Sequence, residues 1–279
     1  MIICDHIVWN VHVVVIYFIY GLKTIGVWIR RHSLVSNSRW EFRGQFIYLH
    51  ILQSFCYSLN MARIARVTCP GIPHHVTQRG NRRQPTFFND DDYLSYIELM
   101  GEWCRKYDVA IWAWCLMPNH IHLIAVPQTM TGLTRAVGEA HRRYTRRINF
   151  RENWRGHLWQ DRFASFPMDE LHLLAAVRYV EMNPVAAGIV VNPAEYPWSS
   201  ARAHLEKKDD ILTSASPLHD MIPDWKAFLQ LSSDEELKVL KRYERTGRPL
   251  GNDSFVEQIE QSLGRILQPQ KPGPKKQKY

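Results

Sequence analysis

The strongest constraint on the fold is a predicted β-hairpin in the middle of the chain. Val109 to Leu116 and His120 to Pro127 are apolar runs of strand length, and the turn Met117-Pro118-Asn119 separates them. With a short strand at His74 to Gln78, one helical pattern before the hairpin and one after it, the order is strand–helix–strand–strand–helix. A further strand is expected near Phe163 to Pro167. This order predicts a ferredoxin-like α+β sandwich with an antiparallel sheet.

Three helices are predicted around this sheet. The first runs from the acidic cap at Asn89 to Lys106, and a basic helix runs from Leu133 to Ile148. The third begins at Asp169 and should end before Pro184, because proline disrupts a helix interior. Two more helices are expected in the C-terminal part, over Ser232 to Tyr243 and Ser254 to Leu267.

Composition divides the chain into four segments. Residues 1–60 carry an apolar stretch of about 14 residues, which is short of the roughly 20 that a membrane helix needs. We expect Met61 to be the initiator and residues 1–60 to be a non-native or poorly ordered extension, with a genuine N-terminal anchor as the alternative. Residues 61–205 form the predicted main domain, residues 206–268 a helical extension, and residues 269–279 a disordered basic tail.

The charge of the chain favours a polyanionic partner. The formal net charge is +8, and arginines interleave with aromatic residues between positions 142 and 163. Such a pattern is typical of surfaces that clamp phosphates and stack bases, although a solvated helix face explains the arginines equally well. An apolar fraction of 46% excludes wholesale disorder. The five cysteines are widely spaced, which argues against a disulfide framework and fits a reducing compartment.

His120 and His122 are the first candidate functional residues. Side chains two apart on a strand share a face, so both imidazoles would lie side by side while Ile121 packs into the core. Neutral imidazole is the commonest metal ligand in proteins, which makes a divalent-metal site the first hypothesis. Because the chain has 13 histidines, a chance pair with one histidine at a strand edge and the other in solvent is the alternative.

Tyr179 and Asn183 could complete this site. They are four residues apart on the third predicted helix, so they lie one turn apart on the same face. The amide oxygen of Asn183 would complete a His-His-Asn set around Mg²⁺ or Mn²⁺ and leave positions open for phosphate oxygens. Tyr179 would then lie within reach as a nucleophile. The alternative is that Tyr179 packs on the sheet and Asn183 caps the helix before Pro184.

Tyr144 is a competing nucleophile on the basic helix. His141 precedes it by three residues, but Ile148 stands at the position where a ligand one turn beyond it would be needed. Tyr179 is therefore the favoured nucleophile.

Several motifs occur together within residues 61–205. The stretch Pro118 to His122 precedes Tyr179 to Pro184, and three further stretches accompany them: Pro70 to Asn81, Gly156 to Phe163 and Tyr196 to Ser200. Jointly they resemble the single-tyrosine HUH transposases, and within these the REP-associated tyrosine transposases. The resemblance implies an HUH endonuclease type of ferredoxin-like fold, in which His120, His122 and Asn183 hold the metal and Tyr179 attacks DNA. It assigns no catalytic role to the C-terminal extension.

The reaction implied by the resemblance is metal-assisted transesterification of single-stranded DNA. Attack by Tyr179 would give a 5′-phosphotyrosine and a free 3′-OH, with Mg²⁺ or Mn²⁺ as the cofactor. The implied partner is single-stranded DNA with hairpin-forming repeats, cleaved during DNA transposition. We expect a monomer or a homodimer in the cytoplasm, associated with the nucleoid and without a membrane partner.

Arginines are expected to contact the DNA phosphates. The candidates come from the turn after the first strand, from the basic helix and from a loop: Arg79, Arg82, Arg83, Arg142, Arg143, Arg146 and Arg162. Arg162 is a candidate for steadying the scissile phosphate, with an ion pair to a helix acid as the alternative.

Two other functions remain open at this point. A non-catalytic nucleic-acid-binding ferredoxin-like protein could use Trp112 and Trp114, which alternate on one strand, as a stacking platform. A metal-dependent phosphohydrolase would use water as its nucleophile in place of Tyr179. A covalent DNA adduct that requires Tyr179 would separate the transposase from both.

Overall fold

Four antiparallel strands form the centre of the fold. The computed structural model describes residues 64–213, 217–231 and 234–268, so the predictions for residues 1–60 and 269–279 fall outside the described residues. The strands are β1 (His74–Arg79), β2 (Val109–Met117), β3 (His120–Pro127) and β4 (Ala164–Pro167). Their spatial order is β2-β3-β1-β4, and all three pairings are antiparallel. The predicted ferredoxin-like α+β sandwich is confirmed.

The predicted helix starts agree with the caps in the structure. Asn89 and Asp169 each accept a hydrogen bond from a backbone N–H three residues later, at 3.0 Å in both cases. The helices of the described residues are α1 (Asp90–Lys106), α2 (Gly132–Arg151), α3 (Glu170–Ala186), α4 (Ala201–Leu205), α5 (Leu218–Met221), α6 (Trp225–Gln230), α7 (Asp234–Thr246) and α8 (Asp253–Leu263). None of these helices has the length and apolarity that a bilayer span requires.

The sequence predicted that the third helix would end before Pro184, and this prediction is wrong. α3 continues through this proline to Ala186, and Ala187 closes the last turn by donating to the carbonyl of Asn183 at 2.9 Å. Pro184 has no N–H, so the carbonyl of Val180 loses its partner within the helix. Because Pro184 is buried, tertiary packing outweighs this local penalty.

Strand alternation gives the sheet two covered faces. The back face carries Val76, Ile121 and Leu123, and α1 and α2 pack on it in one apolar cluster. The front face carries Ile124 together with His75 and His122, and α3 and the C-terminal helices pack on it. Because side chains alternate between the two faces of a strand, His120 and His122 lie on the face opposite to Ile121.

A register shift between Ile111 and Ala113 separates the two tryptophans of β2. Trp112 packs against the front-face cluster, whereas Trp114 lies in the back-face cluster and is 3% exposed. The Nε1–H group of Trp114 donates to Asp210 Oδ2 at 2.8 Å. The two indoles therefore do not form the stacking platform that strand alternation suggested.

The C-terminal extension shares the front-face core. Leu240 and Leu250 belong to the same apolar cluster as Ile124. The backbone N–H of Leu250 donates to the carbonyl of Pro167 at 2.9 Å, and its carbonyl accepts from the N–H of Asp169 at 3.0 Å. In the part of the chain that the structure describes, residues 206–268 are thus continuous with the sheet domain, and the boundary at residue 205 stays a prediction.

His141 makes the back-face core sensitive to acid. Its ring is buried, and its Nε2 lies 2.9 Å from the hydroxyl of Tyr96. Burial lowers the pKa of His141 to about 3. Because the folded-state pKa lies below the unfolded value, the stability that His141 contributes is present above pH 6.5 and is lost as the pH falls toward the folded-state pKa.

His141→Gln should therefore weaken the pH dependence of stability. Between pH 6.5 and 5, the neutral buried His141 accounts for up to about 2 kcal/mol of the fall in the free energy of unfolding, and the variant lacks this component. Urea unfolding at pH 7 and at pH 5 measures how far the free energy of unfolding falls between them. His157→Gln, at an exposed histidine, is the matched control and should show the wild-type fall. Identical pH dependence in wild type and His141→Gln would contradict this account.

Candidate active site

The four residues predicted to form the site meet on the front face of the sheet. The ring centroids of His120 and His122 are 4.9 Å apart, and those of His122 and Tyr179 are 5.2 Å apart. The side-chain nitrogen of Asn183 lies 3.2 Å from Nε2 of His122. Strand β3 and helix α3 thus bring the histidine pair, the amide and the phenol into one cluster.

Glu181 fixes the helix that carries Tyr179 and Asn183. It lies between them in sequence and is fully buried, with an Oε1 atom that accepts from Ser200 Oγ at 2.6 Å and from His204 Nδ1. Releasing a buried carboxylate from such partners is costly, because the charge would then be left unsatisfied. The orientation of α3 over the sheet is therefore determined from the side opposite to the site.

The hydrogen bonds determine which nitrogen of each histidine carries a proton. Nδ1 of His120 lies 2.6 Å from Oδ1 of Asn119, which can only accept, so Nδ1 carries the proton. Nε2 of His122 faces the amide nitrogen of Asn183, which can only donate, so Nε2 of His122 carries the lone pair. Both histidines of β3 consequently have an unprotonated Nε2.

Both histidines are also held in the neutral form. Burial and, to a smaller extent, the positive charge of Arg79 lower the pKa of His120 to about 4. The pKa of His122 lies well below its usual range because its ring is buried and because His75, His120 and Arg79 are close to it. Neutral imidazoles with a free nitrogen lone pair are the form that binds metals. The donor chemistry of His120, His122 and Asn183 therefore fits a divalent ion.

Tyr179 is half-buried against the histidines. Burial and then the nearby Glu244 carboxylate raise its pKa, Asn183 and Arg79 lower it, and the net pKa is about 12. The phenol is therefore protonated at neutral pH. A phenol of this kind becomes a nucleophile when positive charge close to it stabilises its ionised form.

Sequence reasoning missed two residues of this cluster, His75 and Glu244. Nε2 of His75 lies 3.0 Å from Nδ1 of His122, and Oε1 of Glu244 lies 3.8 Å from Nδ1 of His75. Burial raises the pKa of Glu244 to about 7. One atom each from His75, His122 and Glu244 lie within 4.8 Å of one another, so this His-His-Glu cluster could hold a metal ion.

His75 could have been found from the sequence only by pairing the strands. It is on β1, where Thr77 pairs with His122, and antiparallel register then brings it to the neighbouring position on the front face. Glu244 offered no such signal. It is one of many acids on an amphipathic helix, α7, and only the tertiary structure brings it to the histidines.

Arg79 and the turn after it lie next to the site. Arg79 is exposed and pairs across the sheet with His120. The N–H of Gly80 donates to the carbonyl of Asn119 at 2.8 Å, and a Cβ atom at Gly80 would lie only 2.3 Å from the carbonyl oxygen of Gln84. Glycine is therefore required for this turn, which also carries the exposed Arg82 and Arg83.

The other predicted arginines lie away from Tyr179. Arg142, Arg143 and Arg146 project from the outer surface of α2, a helix that packs on the back face of the sheet. Arg162 lines a small cavity with Arg66 that contains none of the four site residues. The sheet itself separates the arginines of α2 from the cluster on the front face.

Tyr144 lies on the opposite side of the sheet from the histidine pair. It is fully buried in the back-face core, and its hydroxyl donates to the carbonyl of Thr86 at 2.7 Å. Tyr179 alone of the two tyrosines lies beside the histidine pair.

Residues 70–183 match the family model described as "Transposase IS200 like". Among solved structures, a REP-associated tyrosine transposase bound to a REP hairpin is 21% identical, over 56% of this chain and 93% of its own, with a TM-score of 0.46. A putative transposase from Deinococcus radiodurans R1 is 16% identical, over 46% and 92% of the two chains, with a TM-score of 0.31. A bacterial tRNA(His) guanylyltransferase-like protein in complex with ATP is 10% identical, over 66% and 100%, with a TM-score of 0.30. No curated protein sequence matches the chain.

The family match covers all four predicted site residues. It includes strand β3 with His120 and His122, and it ends at Asn183, one helical turn beyond Tyr179. Glu244 lies outside it. Over residues 70–183, the chain is similar to the IS200-like transposase family.

Proposed function

We propose that this chain is a metal-dependent transposase of the REP-associated tyrosine type, which cleaves and rejoins single-stranded DNA through Tyr179. One observation carries the proposal: Tyr179 lies beside His122, on the face where His120, His122 and Asn183 come together. The similarity of residues 70–183 to the IS200-like transposase family supports DNA cleavage and rejoining as the overall activity.

His120, His122 and Asn183 would hold the metal, Mg²⁺ or Mn²⁺. The two histidines offer Nε2 lone pairs, and a half-turn of the Asn183 amide would offer its oxygen in place of its nitrogen. This mixture of nitrogen and oxygen ligands leaves open positions for phosphate oxygens. When bound, the ion would polarise a non-bridging oxygen of the scissile phosphate.

Tyr179 would attack the phosphorus in line with the departing 3′ oxygen. Its Oη–P bond forms as the P–O3′ bond breaks, the phenolic proton passes to water, and the 3′ oxygen takes up a proton. The products are a 5′-phosphotyrosine and a free 3′-OH, so one phosphoester replaces another and the reverse attack rejoins the strand. The guanidinium of Arg79 would stabilise the ionised phenol and the negative charge on the phosphate.

The arginines divide into two groups by their place on the sheet. Arg79, Arg82 and Arg83 lie at the end of β1 beside His120 and would contact the strand that is cleaved. Arg142, Arg143 and Arg146 lie on the far side of the sheet and would bind phosphates of a hairpin-forming repeat next to the cleavage site. Arg162 is proposed as a further phosphate contact. An enzyme with this substrate would act at the nucleoid in the cytoplasm, as a monomer or a homodimer.

Tyr179→Phe should abolish covalent attachment to DNA. Full-length protein is incubated with Mn²⁺ and single-stranded oligonucleotides that carry candidate hairpins, and denaturing gels are inspected for a protein–DNA adduct. Wild type and the matched control Tyr144→Phe should form it, because Tyr144 is buried on the other face of the sheet. Tyr179→Phe, His120→Ala and wild type with EDTA should not.

Each other outcome of this experiment favours a different function. An adduct that persists in Tyr179→Phe would contradict the assignment of Tyr179 as the nucleophile. Metal-dependent cleavage without an adduct, unchanged in Tyr179→Phe, would indicate a phosphohydrolase. Hairpin binding without any cleavage, unaffected by Tyr179→Phe, would indicate the non-catalytic binding protein.

Arg79→Ala and Arg146→Ala should affect different measured quantities. Arg79→Ala should lower the cleavage rate at saturating DNA by about 10²-fold, because it removes a charge beside the reacting phosphate. Arg146→Ala should leave that rate unchanged, weaken binding, and reduce the slope of log affinity against log salt by about 1.

Rapid-quench cleavage and binding titrations at several salt concentrations separate these two effects. Lys208→Ala, which removes an exposed cation paired with Glu206, controls for the loss of one charge. An unchanged saturated rate in Arg79→Ala would contradict its proposed place beside the scissile phosphate.

A further inference from the structure

We infer that Glu244 and His75 form a positioning relay behind His122, which makes helix α7 of the C-terminal extension part of the active site. The relay runs Glu244–His75–His122 and directs the Nε2 lone pair of His122 toward Asn183. This inference rests on the proposed function, because that function assigns Nε2 of His122 to the metal. Glu244 is a positioning residue in this scheme and does not touch the reacting atoms.

The position of the His122 proton is set by the contact with Asn183. Nε2 of His122 accepts from the amide nitrogen of Asn183, so the His122 proton is on Nδ1. Nδ1 lies 3.0 Å from Nε2 of His75. The ring centroids are 5.2 Å apart and the ring planes lie within 15° of parallel, as expected for an edge-to-edge hydrogen bond in the plane of the rings. His122 therefore donates to His75.

The position of the His75 proton follows from that of the His122 proton. Since Nε2 of His75 accepts, its own proton is on Nδ1. Within the described residues, Nδ1 of His75 and Oε1 of Glu244 are both buried without a hydrogen-bond partner, and they lie 3.8 Å apart. A shift of about 1 Å in the flexible Glu244 side chain would bring them into hydrogen-bond range. Nδ1 of His75 would supply the hydrogen-bond donor, and Oε1 of Glu244 the acceptor.

The two histidines of β3 differ in the group that lies behind each ring. Metal-binding histidines usually donate their second N–H to a carboxylate or carbonyl oxygen, which fixes the ring and raises its basicity. His120 does so directly, through Oδ1 of Asn119 at 2.6 Å. His122 meets another histidine at that position, and Oε1 of Glu244 lies 4.0 Å from its Nδ1, beyond hydrogen-bond distance. His75 and Glu244 together thus do for His122 what Asn119 does for His120.

A competing arrangement would have His75, His122 and Glu244 hold the ion themselves. That arrangement requires the lone pair of His122 on Nδ1, which moves its proton to Nε2. In the amide orientation of this structure, the Nε2–H group would then point at the amide N–H of Asn183 at 3.2 Å, and two donors would face each other. A half-turn of the amide would relieve that contact, so the position of the His122 proton is the measurement that separates the two arrangements. The observed contacts favour the relay.

The relay is tested by Mn²⁺ affinity, a readout that does not depend on activity. Titration of full-length protein with Mn²⁺, followed by electron paramagnetic resonance of the free ion, gives the Kd. Glu244→Leu and His75→Phe should each weaken binding by about 10–100-fold, as loss of such outer partners does elsewhere. Glu244→Gln, which keeps an acceptor of the same shape, should lose less. The double variant should be no weaker than His75→Phe alone, because both residues act through one chain of hydrogen bonds.

The control for these variants lies on the same helix. Glu235→Gln removes an equal charge from α7, at a side chain that is 79% exposed and paired with Lys238, and should leave the Kd unchanged. Nitrogen-15 spectra of the wild-type imidazoles provide a second readout that needs no variant. They should report a proton on Nδ1 and a lone pair on Nε2 for His122.

Three results would overturn the relay. The first is a His122 with its proton on Nε2, and the second is an unchanged Mn²⁺ affinity in a folded Glu244→Leu. The third is Mn²⁺ binding that survives His120→Ala and Asn183→Ala but not Glu244→Leu, which would favour the competing arrangement. If wild type forms the Tyr179 adduct while Glu244→Leu keeps its Mn²⁺ affinity, only the relay fails. If wild type neither binds Mn²⁺ nor forms the adduct, the relay and the proposed function fail together.

Discussion

The antiparallel pairing of β1 with β3 is the constraint on which the rest of the site depends. It sets Thr77 opposite His122 and Arg79 opposite His120, and it brings His75 within hydrogen-bond distance of His122. A slip of one residue would exchange the faces of every side chain on the strand. Both histidines of β3 would then enter the apolar back-face core. Since both faces of the sheet are covered, the apolar packing that stabilises the fold also holds these imidazoles in place.

Helix α3 makes polar contacts on two opposite sides, one toward the sheet and one away from it. Tyr179 and Asn183 point toward the histidines, and Glu181 between them is bound to Ser200 and His204. A rotation of the helix that moved the phenol would also pull a buried carboxylate away from its partners. The position of the phenol is thus fixed by a polar contact on the opposite side of the helix.

Much of this arrangement is local and could be predicted from the sequence. The hairpin, the caps at Asn89 and Asp169 and the one-turn spacing of Tyr179 and Asn183 depend on patterns of a few residues, and the structure contains all of them. The tertiary features could not be predicted in this way. The extension of α3 through a buried proline and the bulge in β2 depend on packing that outweighs local propensity.

The two missed residues of the site are further cases of the same limit. His75 becomes visible only once the strand register is known, and Glu244 only once the C-terminal helices are placed on the sheet. The sequence pattern identified the residues proposed to act on DNA. It did not identify those that lie behind them.

The C-terminal extension contributes to the front-face core, and this affects when that core can form during synthesis of the chain. During translation, the strands and α3 leave the ribosome before α7, and domains generally fold as units during synthesis. The front-face cluster that contains Ile124 also requires Leu240 and Leu250, so it stays open until those late residues emerge. A nascent chain therefore holds both histidines of β3 and Tyr179 on an incompletely covered sheet. The finished front face exists only once the chain has been synthesised beyond Leu250.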